Sequence, residues 1–347
     1  MNRKTVYFIA PRQVELREEP LPALGAEDVL VETTCSAISA GTEMLIYQGR
    51  FPRDLETDSV ISSLRGGFEY PLAYGYACAG KVVEVGKGVN GKWLNRHVFA
   101  FQPHTTHFIA KLDSLFPISD SITPENACFL PNMETAVNLV QDGAPMLGER
   151  VLVLGQGVVG LLTASLLKEF PLESLVTADR FELRRRTSER IGVNESFDPD
   201  FLYKKNGSET SGTEMTRHFA YTQCFDLTYE LSGSPSALND AIALTGFSGR
   251  IVVGSWYGEK KAPVDLGGSF HRSRIRLISS QVSTIAPELC GRWDKARRFG
   301  VAWEALKRIQ PQKWITHRFP VEEADKAYRL LDERTQETIQ VIFDYKR

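Results

Sequence analysis

Alternating apolar and polar positions mark three early segments, 27–34 (EDVLVETT), 80–86 (GKVVEVG) and 97–101 (HVFAF). A half-buried strand shows its two faces in turn, which produces that period of two. Glycine and proline interrupt these runs at short intervals, so the first ~120 residues read as β-rich with few helices. Segment 49–70 (GRFPRDLETDSVISSLRGGFEY) keeps no clean period and carries charges and glycines. It reads as a long loop with one short helix, a candidate lid or substrate-selecting segment, since long loops often carry function.

The pattern changes near 124. Pro124 and Glu125 fit a helix start, and ENACFLPNMETAVNLVQDG is helical in composition apart from Pro131. Proline lacks an N–H, so Pro131 should begin a second helix or kink the first. Strand and helix then alternate. VLVLG (151–155) is wholly apolar, as a strand buried on both faces is. VVGLLTASLLKEF (158–170) suits a helix packed on a sheet, and SLVTAD (174–179) the next strand. FELRRRTSERIG is an exposed helix closed by Gly192. CFDLTYELSG, GRIVVGSW and RIRLISSQV read as later strands, with PSALNDAIALT a helix between the first two. Such repeated units predict an α/β fold, a Rossmann doubly wound parallel sheet. Segment 196–217 is polar and rich in Gly, Ser and Thr, a surface insertion whose Asn206-Gly207-Ser208 sequon reads as a polar turn.

The turn after VLVLG carries Gly155-Gln156-Gly157-Val158-Val159-Gly160. A GxGxxG between strand and helix is a dinucleotide fingerprint, because it brings backbone N–H groups and a helix N-terminus to a pyrophosphate. Asp179 lies about 20 residues on, where an acid grips the adenosine ribose hydroxyls. A carboxylate there repels a 2′-phosphate, which favours NAD and leaves NADP possible, since Arg180, Arg184 and Arg185 stand just beyond it. Loops after later strands, with Ser232-Gly233-Ser234 and Gly254-Ser255-Trp256, complete the expected carboxyl edge, and Trp256 and Tyr257 are candidate pocket walls.

Bulk properties narrow the function. Across 347 residues, net charge is −2 and 42% are hydrophobic. No basic surplus points to nucleic acid or an anionic membrane. No apolar run reaches the ~18 residues of a membrane span. Five scattered cysteines without CxxC argue reduced thiols in a cytoplasmic protein. A small molecule is the expected partner.

The order of a β-rich domain, a helix with Thr135-Ala136 and a GxGxxG unit resembles the medium-chain dehydrogenase/reductase superfamily. AISAGTE, PLAYGYACAGKVVEVG, METAVNLV, VLVLGQGVVG and Asp179 carry the resemblance. It implies a GroES-like domain over 1–123 and 291–347, a Rossmann NAD(P)-binding domain over 124–290, and a homodimer. SAISAGTE, the YPLxYGY stretch and GSWYG resemble more loosely a bacterial "zinc-binding dehydrogenase" branch near the bacteriochlorophyllide a dehydrogenases. Zinc-dependent relatives hold their metal with Cys, His and a further Cys or Glu. Here Ser39 takes the Cys position, Gly75-Tyr76-Ala77 replaces Gly-His-Glu, and only Glu134 of the third region is a ligand type. Zinc needs three protein ligands and an open position, so no metal is expected.

Without zinc, hydrogen-bond donors must stabilise the developing alkoxide. The resemblance places Thr42 at the relay hydroxyl beside the nicotinamide ribose and Thr135 near the nicotinamide. Tyr76, Ser39 and His104 are the other catalytic candidates. Glu43 is expected to order a local arginine or backbone amide, Tyr47 to line the pocket or pack in the core, and Glu134 to be a pocket carboxylate or a helix surface charge. His104 and His107, three apart on a presumed strand, should face opposite sides and share no metal. The reading is an NAD(P)-dependent oxidoreductase on an alcohol/carbonyl pair. A quinone or enoyl reductase and a non-catalytic dinucleotide-binding sensor or structural protein are the alternatives.

Overall fold

The computed structural model describes residues 1–52, 67, 69–200 and 224–345. Most of the candidate lid at 49–70 and of the insertion at 196–217, with its sequon, lies outside the described residues. The chain divides into two units, Met1–Pro131 with Leu306–Arg347, and Asn132–Ala305. The first change of unit falls at Pro131/Asn132 rather than near 124. Helix Pro124–Ala127 packs on strands Asp28–Ala37, Cys78–Val85 and His97–Ala100, which ties it to the first unit.

The second unit is built on a six-stranded sheet with every pairing parallel. Across it run Glu195–Phe197, Ser174–Ala178, Arg150–Leu154, Phe225–Glu230, Thr245–Val253 and Arg276–Ser279. This is the mixed α/β, Rossmann order, with the direction of winding reversing between the third and fourth of these strands. The wholly apolar run explains the central place of Arg150–Leu154. Val151 and Val153 join one buried cluster while Leu152 and Leu154 join another, so alternate residues fill the two faces. Helices Val158–Leu167, Glu182–Ile191 and Ala237–Leu244 follow strands Arg150–Leu154, Ser174–Ala178 and Phe225–Glu230. The second ends at Gly192, in the left-handed region at φ 92°. Arg276–Ser279 is an edge strand, with Leu277 exposed.

A buried ion pair joins two helices of this unit. Arg298, on Lys295–Ile309, has no solvent exposure. Its Nε and Nη2 donate to Glu134 Oε1 at 3.1 and 2.8 Å, on helix Leu130–Gly143. It also donates to Asn138 Oδ1 and to the carbonyls of Val282 and Thr284. Lys295 Nζ stands 2.7 Å from the same Glu134 oxygen. Glu134 is therefore neither a pocket carboxylate nor a surface charge. It is the counter-ion of a buried guanidinium, from a residue too distant in sequence for local reading.

The first unit holds a seven-stranded sheet and a three-stranded one. The larger runs Ile315–Pro320, Gln340–Asp344, Asp28–Ala37, Cys78–Val85, His97–Ala100 and Leu115–Pro117, with His107–Lys111 also on Asp28–Ala37. The chain's last strand thus lies antiparallel to Asp28–Ala37, with Ile342 opposite Ala37. The smaller sheet pairs Asn2–Ala10 with Gln13–Pro20 and Leu72–Ala73. Its core is aromatic: Tyr328 stacks on Tyr47 at 5.5 Å and meets Phe8 edge-on at 5.1 Å. Tyr47 is accordingly core. All five cysteines are free thiols.

Candidate functional site

In the second unit, Gly155 closes strand Arg150–Leu154 and turns at φ 90°. A Cβ there would lie 2.5 Å from Ser232 Cα and 2.6 Å from Leu231 O, so two backbones meet where no side chain fits. Gly157 precedes helix Val158–Leu167 with its extended backbone facing open space. The nearest heavy atom to a Cβ placed there is Arg184 Nη1, at 4.0 Å. Gly160 packs against the Gly155 carbonyl, 1.9 Å from where its Cβ would stand. The result is a bare backbone cradle at a helix start, with room above Gly157. These residues fit a dinucleotide pyrophosphate. Val158 and Val159 form the helix's first turn, half-buried.

Asp179 is almost buried, and its carboxylate folds back on the turn. Oδ2 accepts from Gln156 N–H at 2.7 Å, Oδ1 from Phe181 N–H at 2.8 Å, and Arg184 Nη1 stands 3.9 Å from Oδ2. Each carboxylate oxygen has a second lone pair, so capacity remains for a ribose hydroxyl. Arg184 also lies over the Phe181 ring, and burial lowers its pKa against the pull of Asp179. Arg185 donates to the carbonyls of Asp179 and Arg180 at 2.7 and 2.8 Å. Arg180 itself points to solvent in a pair with Asp200. Of the three arginines, Arg184 is the one beside the cradle. Gln156 escaped the sequence reading; it is fully buried and binds the carbonyls of Val153 and Gly155.

Ser232 and Gly254 sit at the carboxyl ends of neighbouring strands. A Cβ on Gly254 would lie 2.5 Å from Leu139 Cδ2 and 2.7 Å from Leu231 Cδ2, so a side chain there would have to displace both leucines. Trp256 is exposed, whereas Tyr257 turns inward and donates to Glu230 Oε2 at 2.5 Å. Thr135 is half-buried on helix Leu130–Gly143.

In the first unit a second constellation forms around Glu43, on the short helix Thr42–Tyr47 and fully buried. Its Oε1 accepts from Ser39 N–H at 2.8 Å. Its Oε2 meets Tyr328 O–H at 2.5 Å and His104 Nε2 at 3.0 Å. His104 Nδ1 lies 2.7 Å from Ser36 Oγ, which is 2.8 Å from Tyr345 O–H. One set of proton positions satisfies every atom: Tyr345 donates to Ser36, Ser36 to Nδ1, and Nε2–H to Glu43. Burial, and for Tyr328 also Glu43, raises both phenols well above the usual value, which keeps them donors. Tyr76, half-buried, donates its O–H to Ser39 Oγ.

Glu43 thus orders a backbone amide, but no arginine. His104, a catalytic candidate from the sequence, has no exposed surface. Its ring lies edge-on to Phe343 at 4.9 Å and 2.9 Å from where a Gly75 Cβ would be, which is why Gly75, at φ 126°, carries no side chain. The presumed shared strand also fails, because it begins only at His107. His107 binds Thr106 Oγ1, and burial lowers its pKa. Ser39 and Tyr76 are brought together, both half-buried; Thr42 stands half-buried at the helix start.

The candidate metal positions carry weak donors. Ser39 and Tyr76 offer neutral hydroxyls bonded to each other, and Glu134 is held by Arg298 and Lys295. Among the described residues no three of His, Cys, Asp or Glu converge as a metal site. This set does not fit zinc.

No family model matches the chain. It is 22% identical to L-threonine 3-dehydrogenase of Legionella pneumophila (strain Corby), over 91% of this chain and 92% of that one. A short chain alcohol dehydrogenase from E. coli CFT073, solved with NADH, superposes with TM-score 0.75 at 19% identity, covering 99% of each chain. The 2R,3R-butanediol dehydrogenase of Bacillus subtilis gives TM-score 0.75 at 16% identity, covering 99% of this chain and 100% of that one. The chain shares the fold of these two solved dehydrogenases. Its Gly155–Gly160 turn lies in the Rossmann sheet of that fold. Among the described residues no helix is long and apolar enough to cross a membrane.

Proposed function

We propose that this protein is an NAD(P)-dependent oxidoreductase that moves hydride between nicotinamide and an alcohol/carbonyl pair without zinc. The observation that carries it is the bare backbone cradle at Gly155–Gly160 with the Asp179 carboxylate folded against it. The relatedness to dehydrogenases over nine-tenths of the chain supports the same reading. A bound nicotinamide supplies the hydride. The chain's residues must hold the dinucleotide, polarise the substrate oxygen and manage one proton. Ser39 accepts from Tyr76 and so keeps its own O–H to donate, strengthened by the bond it receives. Glu43 fixes the Ser39 backbone, and His104, Tyr328, Ser36 and Tyr345 fix Glu43. His104 is a positioning residue in this reading, and Thr42 keeps the relay role that the resemblance implies.

Zinc independence rests on the donor set and is tested by elemental analysis of active enzyme. Stoichiometric zinc whose removal abolishes turnover would end it. Substrate class is tested by NADH oxidation with ketones, aldehydes, enones and quinones; turnover with only the last two would replace the alcohol/carbonyl reading by a reductase one. The exposed edge strand Arg276–Ser279 supports a homodimer through that edge.

Asp179 supports NAD over NADP. Hydrogen bonds to charged groups contribute roughly 1.5–3 kcal/mol, so Asp179→Ala should raise the NADH dissociation constant about 10–100-fold. It should also narrow the gap to NADPH, because Arg184 then loses its carboxylate neighbour. Fluorescence titration of both cofactors checks this. An unchanged NADH constant would remove Asp179 from the ribose site.

A further inference from the structure

Glu230 ends strand Phe225–Glu230 and is fully buried. Its Oε1 accepts Ser232 N–H at 2.9 Å and the Ser232 hydroxyl, and its Oε2 accepts Tyr257 O–H at 2.5 Å. Burying a carboxylate is costly unless such bonds compensate it. The charge strengthens them in return. Burial first, then Glu230, raises the Tyr257 phenol, which stays protonated as the donor.

The place matters. Glu230 lies opposite Leu154 in the sheet, at the strand pair where the winding reverses. Ligands of such sheets bind outside the carboxyl ends at that point. Leu231 N–H donates to Leu154 O at 2.8 Å, and Ser232 Cα fills the space denied to a Gly155 Cβ. Any shift of the 231–233 backbone therefore pushes directly on the Gly155 turn. Residues of the loop after the neighbouring strand hold the 231–233 backbone from the other side. Ser255 Oγ accepts Gly233 N–H at 2.9 Å, and Lys260 Nζ donates to Gly233 O at 2.5 Å.

We propose that Glu230 and Tyr257 form a clasp that positions the Ser232–Gly233 turn, and through it the Gly155 cradle, for the dinucleotide. This rests on the nicotinamide reading above. Both are positioning residues. Tyr257 holds Glu230, Glu230 holds the Ser232 N–H and hydroxyl, and the cofactor feels the backbone.

The test is NADH binding by fluorescence titration with no substrate, alongside thermal unfolding, on the full chain. Glu230→Ala should raise the NADH dissociation constant roughly tenfold or more, and Tyr257→Phe roughly threefold. Glu230→Gln, which keeps an acceptor oxygen for Ser232, should recover most of the affinity. A merely structural role would lower the melting temperature and leave the folded protein's affinity unchanged, which overturns the proposal. If Glu230→Ala does not fold, Tyr257→Phe decides, and wild-type affinity in it overturns the clasp. Should the wild-type protein bind neither NADH nor NADPH, the nicotinamide reading itself falls and the clasp with it.

Discussion

Arg298→Ala should destabilise the protein by about 3–5 kcal/mol, as removal of one partner from a buried ion pair does. The guanidinium is fully buried, and its five N–H groups all reach acceptors: Glu134 twice, Asn138, and the carbonyls of Val282 and Thr284. Alanine removes the charge that Glu134 faces and strands two carbonyls, with Lys295 as the remaining cation. Arg298→Lys should restore little, because one ammonium cannot reproduce a planar set of donors. Glu134→Gln should cost less than Arg298→Ala, since the amide still accepts from the guanidinium. Urea unfolding of the three variants checks the order. A loss under 1 kcal/mol in Arg298→Ala would mean that the pair contributes no more than a surface one.

Ser39→Ala is expected to lower kcat about 10²–10³-fold, the usual cost of removing one donor to a developing oxyanion. Tyr76→Phe should lower it comparably, because its phenol donates to Ser39 Oγ and polarises the remaining O–H. The two act as one unit, so the double variant should be little worse than the worse single. Steady-state kinetics on the best carbonyl substrate, with NADH binding measured in parallel, separates this from a cofactor defect. Multiplying losses in the double variant would show two independent roles, and unaltered kcat in either single would remove that hydroxyl from the chemistry.

Much of the fold was legible in local patterns. VLVL predicted a central strand because a strand covered on both faces has no polar side to show, and Val151–Leu154 fill two clusters. Gly192 predicted a helix end because left-handed backbone disfavours a Cβ, and it stands at φ 92°. Gly155, Gly157 and Asp179 were legible because a backbone cradle and its acid belong to one strand–helix–strand unit of short sequence span. Pro131 marked the second helix, which begins at Leu130.

Tertiary structure decided the partners of the charged and polar residues. Glu134 meets Arg298 across 164 positions, Glu43 meets Tyr328 across 285, and Ser36 meets Tyr345 across 309. No periodicity encodes such pairings, because burial makes a charge seek whatever donor the packed chain brings within 3 Å. His104 shows the same limit. Its sequence offered it as a catalytic candidate, but it lies buried against Phe343 and Gly75. Glu230, at a strand end, and Tyr257, on the loop after the neighbouring strand, became partners only through the sheet's order. The sequence alone determined where strands, turns and the glycine-lined cradle form, since backbone geometry is local. Which side chains hold that frame in place was settled by contacts between residues far apart in the chain.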